Sequence, residues 1–367
     1  MSHRYGIQAA YVDEMEIVTG EGSLLICSKD ENRDLFDYTR GGLGQCGIIT
    51  SVIIPLVKAP TKIRTYKLFY PVADALCFLE DIRSCVESGE IELIHAFLKP
   101  CTKDGIGSIV GHDEFAGSSS AFKTMVEEGE SNKSLVFFLE LGCYVWNDYD
   151  QGTYSSDAVK HLLAPKQMCT GNYFTKEYDF QTYITRDPPV VKTNKAHGAV
   201  PHPSYATFID EKYVLTLLEH HIGSGERGDD STNEILIIPV KSNSKVCSGH
   251  DVRMFPMPKG SELSFFILFL GSVIPRSGET SQNIMAKIRA HHRSLHALSN
   301  ALGGKRYSYD TITSEVKGEN SWKQHFGEET WRGLVAAKRK FDPNHILCPG
   351  IPIWSKDTTS DDVQSIG

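Results

Sequence analysis

The chain has 367 residues, 40% of them hydrophobic, with 38 Lys and Arg against 46 Asp and Glu for a net charge of −8. At about 150 residues per domain it holds two domains or one large interrupted one, and its apolar content excludes a disordered or collagen-like chain. No dense run of Lys or Arg marks a nucleic-acid surface, and the longest apolar run, residues 265–274, is too short for the roughly 20 residues of a membrane helix.

The first eight residues, Met1 through Gln8, offer neither a basic nor an apolar leader region, so no signal peptide is read. Strands are expected at 14–19 and 23–27 around the turn Gly20-Glu21-Gly22, a short helix at 30–39 anchored by Leu35 and Phe36, and a β-branched strand at 48–54. Residues 55–64 read as a linker. Beyond them the pattern predicts a helix at 72–87 and long strands at 91–98, 135–146, 235–240 and 263–274. Helices are expected at 155–163, 211–221 and 281–302, and exposed loops at 105–133 and 223–233. Short helices at 320–326 and 328–341 precede Asp342-Pro343, and the polar end from Ser355 reads as a tail. Mixed strands and helices of these lengths point to a large antiparallel sheet backed by helices.

Gly42-Leu43-Gly44-Gln45-Cys46-Gly47 matches G-x-G-x-x-G literally. That motif holds a dinucleotide because a helix N-terminus follows it. Here a strand follows, so the glycines read as a tight turn that lets another backbone or a flat ligand come close. His291, His292 and His296 on the long helix lack a third ligand at metal spacing and lie among Lys287, Arg289 and Arg293, which reads as a solvated basic face. His220-His221 suit a helix C-terminus. The nine cysteines form no C-x-x-C pair and read mostly as buried thiols, and Asn132-Lys133-Ser134 is a sequon compatible with secretion. Neither a G-x-S-x-G nor a Walker loop occurs.

Three blocks resemble plant cytokinin dehydrogenases, flavoenzymes of the vanillyl-alcohol-oxidase type. Cys27-Ser28-Lys29 through Leu35-Phe36 to Gly41-Gly42-Leu43-Gly44-Gln45-Cys46-Gly47-Ile48-Ile49-Thr50 is similar to one family block, and Val200-Pro201-His202-Pro203 to a second. Trp322 to Gly327 with Lys338 to Gly350 resembles the third. The resemblance implies an α+β, two-domain fold: an incomplete FAD-binding domain from residues 1–60 and 317–355, a cytokinin-binding substrate domain at 61–316 with an antiparallel sheet, and a tail at 356–367. It implies FAD as cofactor, Ile48, Tyr309, Cys348 and Ile351 at positions that contact the flavin, and His95 and Ser204 at substrate positions.

The family's flavin-attaching His and catalytic Asp have no counterpart in these residues, and the family's substrate-entrance Glu is His95 here, its Trp Ser204, its flavin-contacting Ser Cys348 and its Gln Ile351. The expected function is FAD-dependent oxidative cleavage of the N6 side chain of isopentenyladenine-type cytokinins, with this chain by itself inactive. The alternative is a non-catalytic remnant that binds a cytokinin or a full-length paralogue. The expected partner is the cytokinin alone, with no nucleic acid or membrane and a monomeric chain. The family is secreted or vacuolar, whereas this chain as written would be cytosolic.

Overall fold

The computed structural model describes residues 2–146, 162–163, 173–186, 200–224, 234–241, 252–258, 262–274, 278–307, 319–348 and 353–354. Strands β1 (Glu14–Val18) and β2 (Leu24–Ser28) form a hairpin, followed by helix α1 (Arg33–Thr39) and strand β3 (Ile48–Ile53). These strands make a three-stranded antiparallel sheet in the order β2-β1-β3. Period-two alternation buries Met15 and Ile17 of β1 and turns Glu14 and Glu16 outward.

Strand β4 (Lys62–Pro71) starts inside the segment expected as a linker, because Ile63 and Tyr66 reach core positions. Helix α2 (Ala75–Ser88) and strand β5 (Leu93–Pro100) follow. Residues 105–133, expected as a loop, instead fold as α3 (Lys103–Val110), α4 (His112–Ala116) and α5 (Ser120–Ser131). Their glycines and serines obscured two N-caps: Thr102 Oγ1 accepts from Gly105 N and Ser119 Oγ from Phe122 N. Ile106 with Val110, and Phe122 with Val126, are apolar pairs at i, i+4 that bury against Phe69 and Phe138.

Strands β6 (Leu135–Val145) and β7 (Phe174–Asp179), helix α6 (Phe180–Ile184), strand β8 (Ser204–Asp210) and helix α7 (Val214–Gly223) come next. Strands β9 (Ile235–Lys241) and β10 (Leu263–Leu270), helix α8 (Ser281–Ala301), strand β11 (Lys305–Arg306) and helices α9 (Glu319–Phe326) and α10 (Glu328–Phe341) complete the order. The helix expected at 155–163 lies almost wholly outside the described residues.

Eight strands build one antiparallel sheet in the order β11-β8-β10-β9-β5-β6-β4-β7. Its inner strands read as near-continuous apolar runs because both faces are used. On one face Tyr66, Leu68, Phe137, Leu139, Ile237, Phe265 and Ile267 pack under α2, α7 and α8 through Phe78, Ile82, Leu217 and Leu295. Each such large side chain contributes roughly 1.5–3 kcal/mol on burial. The opposite face is covered at one end by α3 and α5 and at the other by Phe255 and Met257 over Phe208 and Phe266.

A separate core joins the two ends of the chain: Met15, Ile17, Leu35, Phe36 and Cys46 pack with Trp322, Trp331, Leu334 and Phe341. A buried ion pair, Lys338 with Asp342, fastens it. Lys338 Nζ also donates to Gln45 O (3.0 Å) and Leu347 O (3.2 Å), and Asp342 accepts from Ile346 N and Leu347 N (3.0 Å each). The glycine turn is thereby tied to the turn after Phe341. Strand β3, by contrast, is exposed along its whole length, Ile48 and Ile53 by 57% and 55%.

Candidate functional site

Between the two covered ends of the large sheet runs a half-exposed strip. It comprises His95, Phe97 and Lys99 of β5, Leu236 and Ile238 of β9, Leu268 and Leu270 of β10, and Ser204 of β8. Alternation sends each of these side chains to the face opposite the α2–α7–α8 core. Its middle is an apolar floor, and both ends are polar.

At the β5 end, Lys67 pairs with Glu140 across β4–β6 and Glu140 with His95 across β6–β5, placing the three in one row. Glu140 accepts from Tyr183 Oη (2.7 Å) and from Arg186 Nη2 (2.9 Å) and Nη1 (3.3 Å). Arg186 also lies over the Tyr183 ring at 4.0 Å. Burial pushes the Glu140 carboxyl up, and the Arg186 and Tyr183 hydrogen bonds outweigh it, so the group stays below its ordinary value as a carboxylate. His95 is held below its ordinary value, chiefly by burial, with Glu140 opposing and Arg186 adding to the effect. Its imidazole is therefore neutral near pH 7, with one nitrogen to donate and one to accept.

At the other end Lys99 and Glu234 form an ion pair of 2.9 Å. Leu270 N bonds Glu234 O, and Leu270 pairs with Ser204. His95 and Ser204 are thus three strands and four residue steps apart, on the order of 20 Å at sheet spacings. The two expected substrate positions share the strip but stand at its opposite ends. The cluster of Glu140, Tyr183, Arg186 and Lys67 had one sequence signal, a carboxylate inside the apolar run Leu135 to Val145.

Of the expected flavin positions, Tyr309 and Ile351 lie outside the described residues. Cys348 is exposed, with φ +47°, and lies against Gly44, where a Cβ would come within 2.6 Å of its Sγ. Ile48, also exposed, begins the strand four residues after Gly44. The glycines of that turn are filled by protein: Gly42 meets the Tyr38 carbonyl and Gly47 the Ile17 side chain. They serve close backbone packing, and a strand follows them, as the sequence order implied. What stays open in this region is the exposed surface carrying Ile48 and Cys348. Gln45 is fully buried, and its Nε2 has no hydrogen-bond partner among the described residues.

The expected solvated histidine face is corrected in part. His292 is 3% exposed beside Tyr205, and burial lowers its pKa to about 3. His221 Nδ1 meets His291 Nε2 at 2.7 Å, joining α7 to α8. Among the described residues no group of three His, Cys, Asp or Glu could hold a metal, and no helix is long and apolar enough to cross a membrane. Five of the seven described cysteines are buried, and burial pushes the Cys46 thiol up to about 12.

Comparison with known proteins decides the family. A family model described as cytokinin dehydrogenase 1, FAD and cytokinin binding, matches residues 60–354. The chain belongs to this FAD- and cytokinin-binding family. It is 26% identical over 372 residues to cytokinin dehydrogenase 6 and 27% over 366 to cytokinin dehydrogenase 9, both of Oryza sativa subsp. japonica. Each match covers 97% of this chain and 64% of the relative. Cytokinin dehydrogenase 5 of Arabidopsis thaliana is 26% identical, over 97% of this chain and 63% of its own length. The chain thus spans a little under two thirds of these relatives.

Among solved structures, a VAO-type flavoprotein from Myceliophthora thermophila C1 superposes with a TM-score of 0.61 at 15% identity, covering 94% of this chain and 57% of that one. Glucooligosaccharide oxidase from Acremonium strictum gives 0.57 at 13%, covering 96% and 68%. This chain shares the α+β, vanillyl-alcohol-oxidase-type fold of these flavoproteins.

Proposed function

We propose that the strip is the cytokinin-binding surface of an FAD-dependent dehydrogenase that oxidises the N6 side chain of isopentenyladenine-type cytokinins. The observation that carries this is the half-exposed apolar floor of Phe97, Leu236, Ile238 and Leu268, bounded by neutral His95, within the span matched by the cytokinin-binding family. A flat purine and a branched hydrocarbon side chain both gain by lying on such a floor, and few, well-placed polar groups fix their orientation.

His95 donates to or accepts from one purine nitrogen. Glu140, gripped by Arg186 and Tyr183, acts on His95 from the neighbouring strand and stays ionised beneath the ligand. Oxidising a secondary amine to an imine requires a hydride acceptor, which FAD supplies when bound, and a group that takes the amine proton. Ile48 and Cys348 would face the cofactor.

The bare strand β3 supports a second part of the reading: the sheet β2-β1-β3 is completed by polypeptide corresponding to the part of the relatives that this chain does not match, and the 367 residues alone do not turn over substrate. An exposed, uncharged, β-branched edge is a template for strand addition. The test mixes the chain with FAD, with or without the unmatched portion of a rice relative, and follows cytokinin-dependent reduction of a dye. Activity only in the mixture is expected; activity of the 367 residues alone refutes the second part, and no cytokinin dependence in any mixture refutes the first.

A further inference from the structure

Residues 2–6, ahead of β1, fold back on themselves: Ser2 N donates to Gly6 O (3.0 Å), Gly6 N to Ser2 O (2.7 Å) and Arg4 N to Ser2 Oγ (3.1 Å). The loop docks on a distant stretch of chain, between the end of α2 and the start of β5. His3 Nε2 meets Ile91 O at 2.9 Å, and Arg4 donates from Nη1 to Glu92 Oε1 (3.1 Å) and from Nη2 to Gly89 O (2.9 Å). Glu92 Oε2 in turn accepts from Tyr144 N on β6 (3.0 Å). His3 and Glu92 are 2% and 5% exposed, so one contact buries two titratable side chains that the chemistry of the strip does not use.

This contact lies at the His95 end of the strip. Ile91 is four residues before His95, and Tyr144 shares with Glu140 the strip's face of β6, because side chains an even number apart point the same way. Tyr5 is close enough to Tyr144 to act on its phenol. Among the described residues the charged or titratable groups that act on His3 are Arg4 of its own loop, Lys241 at the end of β9 and His95 of β5. The Ile91 carbonyl can only accept, so Nε2 carries the ring's proton, and a second proton would make a buried imidazolium beside these groups. Burial lowers His3 to about 4, with the Ile91 carbonyl opposing and Arg4, Lys241 and His95 adding to the effect. Released to solvent, the ring titrates near 6.5.

We propose that residues 2–6 are a strap that closes the His95 end of the strip at neutral pH and is released on acidification through His3. The closing role rests on the strip being the cytokinin surface; the release does not. Below about pH 6.5 the open strap takes up a proton that the docked one refuses, so each pH unit raises the open fraction up to about ten-fold. Glu92 works in the opposite sense: burial holds its carboxyl above the ordinary value, against the Tyr144 amide and Arg4, so proton uptake there favours docking. Such a local opening precedes global unfolding.

The test follows hydrogen exchange at the Gly6 amide by NMR of the 367-residue chain between pH 7.5 and 5.5, corrected for the intrinsic pH dependence of exchange. Stopped-flow association of N6-isopentenyladenine is measured over the same range. Gly6 protection is expected to fall at least three-fold per pH unit below 6.5, and association to accelerate with it. His3→Gln keeps an N–H for the Ile91 carbonyl and removes the titration, so protection in it is expected not to fall. If His3→Gln does not fold, Arg4→Ala replaces it and is expected to lose Gly6 protection at least ten-fold already at pH 7.5. Protection that ignores pH, falls equally in His3→Gln, or survives Arg4→Ala would overturn the strap. Association indifferent to pH while protection falls would overturn the closure alone. No binding at any pH would refute the cytokinin surface, and the closure with it, while exchange still decides the release.

Discussion

His95 and Glu140 sit directly opposite each other across the β5–β6 ladder, a neutral imidazole beside a carboxylate that Arg186 and Tyr183 keep ionised. Burial holds the His95 ring neutral, with Glu140 opposing and Arg186 adding to the effect. Arg186→Ala strips Glu140 of two hydrogen bonds and is expected to cost about 1–3 kcal/mol in urea unfolding. Glu140→Gln keeps partners for Tyr183 and leaves Arg186 reaching solvent, so its cost is expected to be smaller. Equal costs would show that the cluster does not act as a charge-paired unit.

Stability falls on acidification for two separable reasons. His3, His292, His296 and His325 have folded-state pKa values near 4, 3, 4 and 3, whereas the unfolded chain protonates them near 6.5. Lowered folded values mean the unfolded state takes up protons first, so stability drops as pH falls below about 6.5. Each well-buried ring contributes up to about 1.4 kcal/mol per pH unit, and the more open His296 less. Glu140, also lowered, adds its loss only below the ordinary carboxylate value of 4.5. Thermal unfolding between pH 7.5 and 4.5 is expected to show a falling Tm, with a shallower slope in His292→Phe; an unchanged slope would count against a neutral buried His292.

Gly44 has φ +70° and lies against Cys348. Gly44→Ala is expected to lose about 1–3 kcal/mol from backbone strain together with the sulfur contact. Cys348→Ala in the same chain relieves only the contact, so the double-mutant cycle is expected to show coupling of at least about 0.5 kcal/mol. Additive losses would mean that the two turns do not touch.

Val52 and Ile53 are 46% and 55% exposed on β3. Val52→Lys and Ile53→Lys are expected to change the stability of the chain by no more than about 0.5 kcal/mol while reducing its aggregation. They should also prevent capture of the complementing portion of a relative. Undiminished capture, seen by size-exclusion chromatography, would place that contact elsewhere.

Much of this fold is legible in the sequence, because β1 to β3, β6, β9, β10 and the helices α8 to α10 carry strong periodicity and clear Gly or Pro stops. The helices α3 to α5 are not, since Gly105, Gly107 and Gly117 mask apolar pairs that only the Phe69 and Phe138 surface makes visible. Strand β8 hides because Ser204 and Thr207 break its apolar run, and Thr207 finds its partner, Ser299, 92 residues away. His95 was found through the family pattern, but its environment was not: Glu140 and Arg186 reach it by strand pairing and a helix end, which no local spacing encodes. Likewise His292 looks solvated beside its basic neighbours until Tyr205 covers it.

The central claim is that the strip holds a cytokinin, and isothermal calorimetry with N6-isopentenyladenine tests it most directly. Saturable one-to-one binding is expected for the 367-residue chain, weakened at least ten-fold by Leu236→Asp, which charges the apolar floor, and weakened also by His95→Phe, which keeps the ring's bulk and removes its nitrogens. Absence of binding, or binding indifferent to both substitutions while the variants remain folded, would contradict the account.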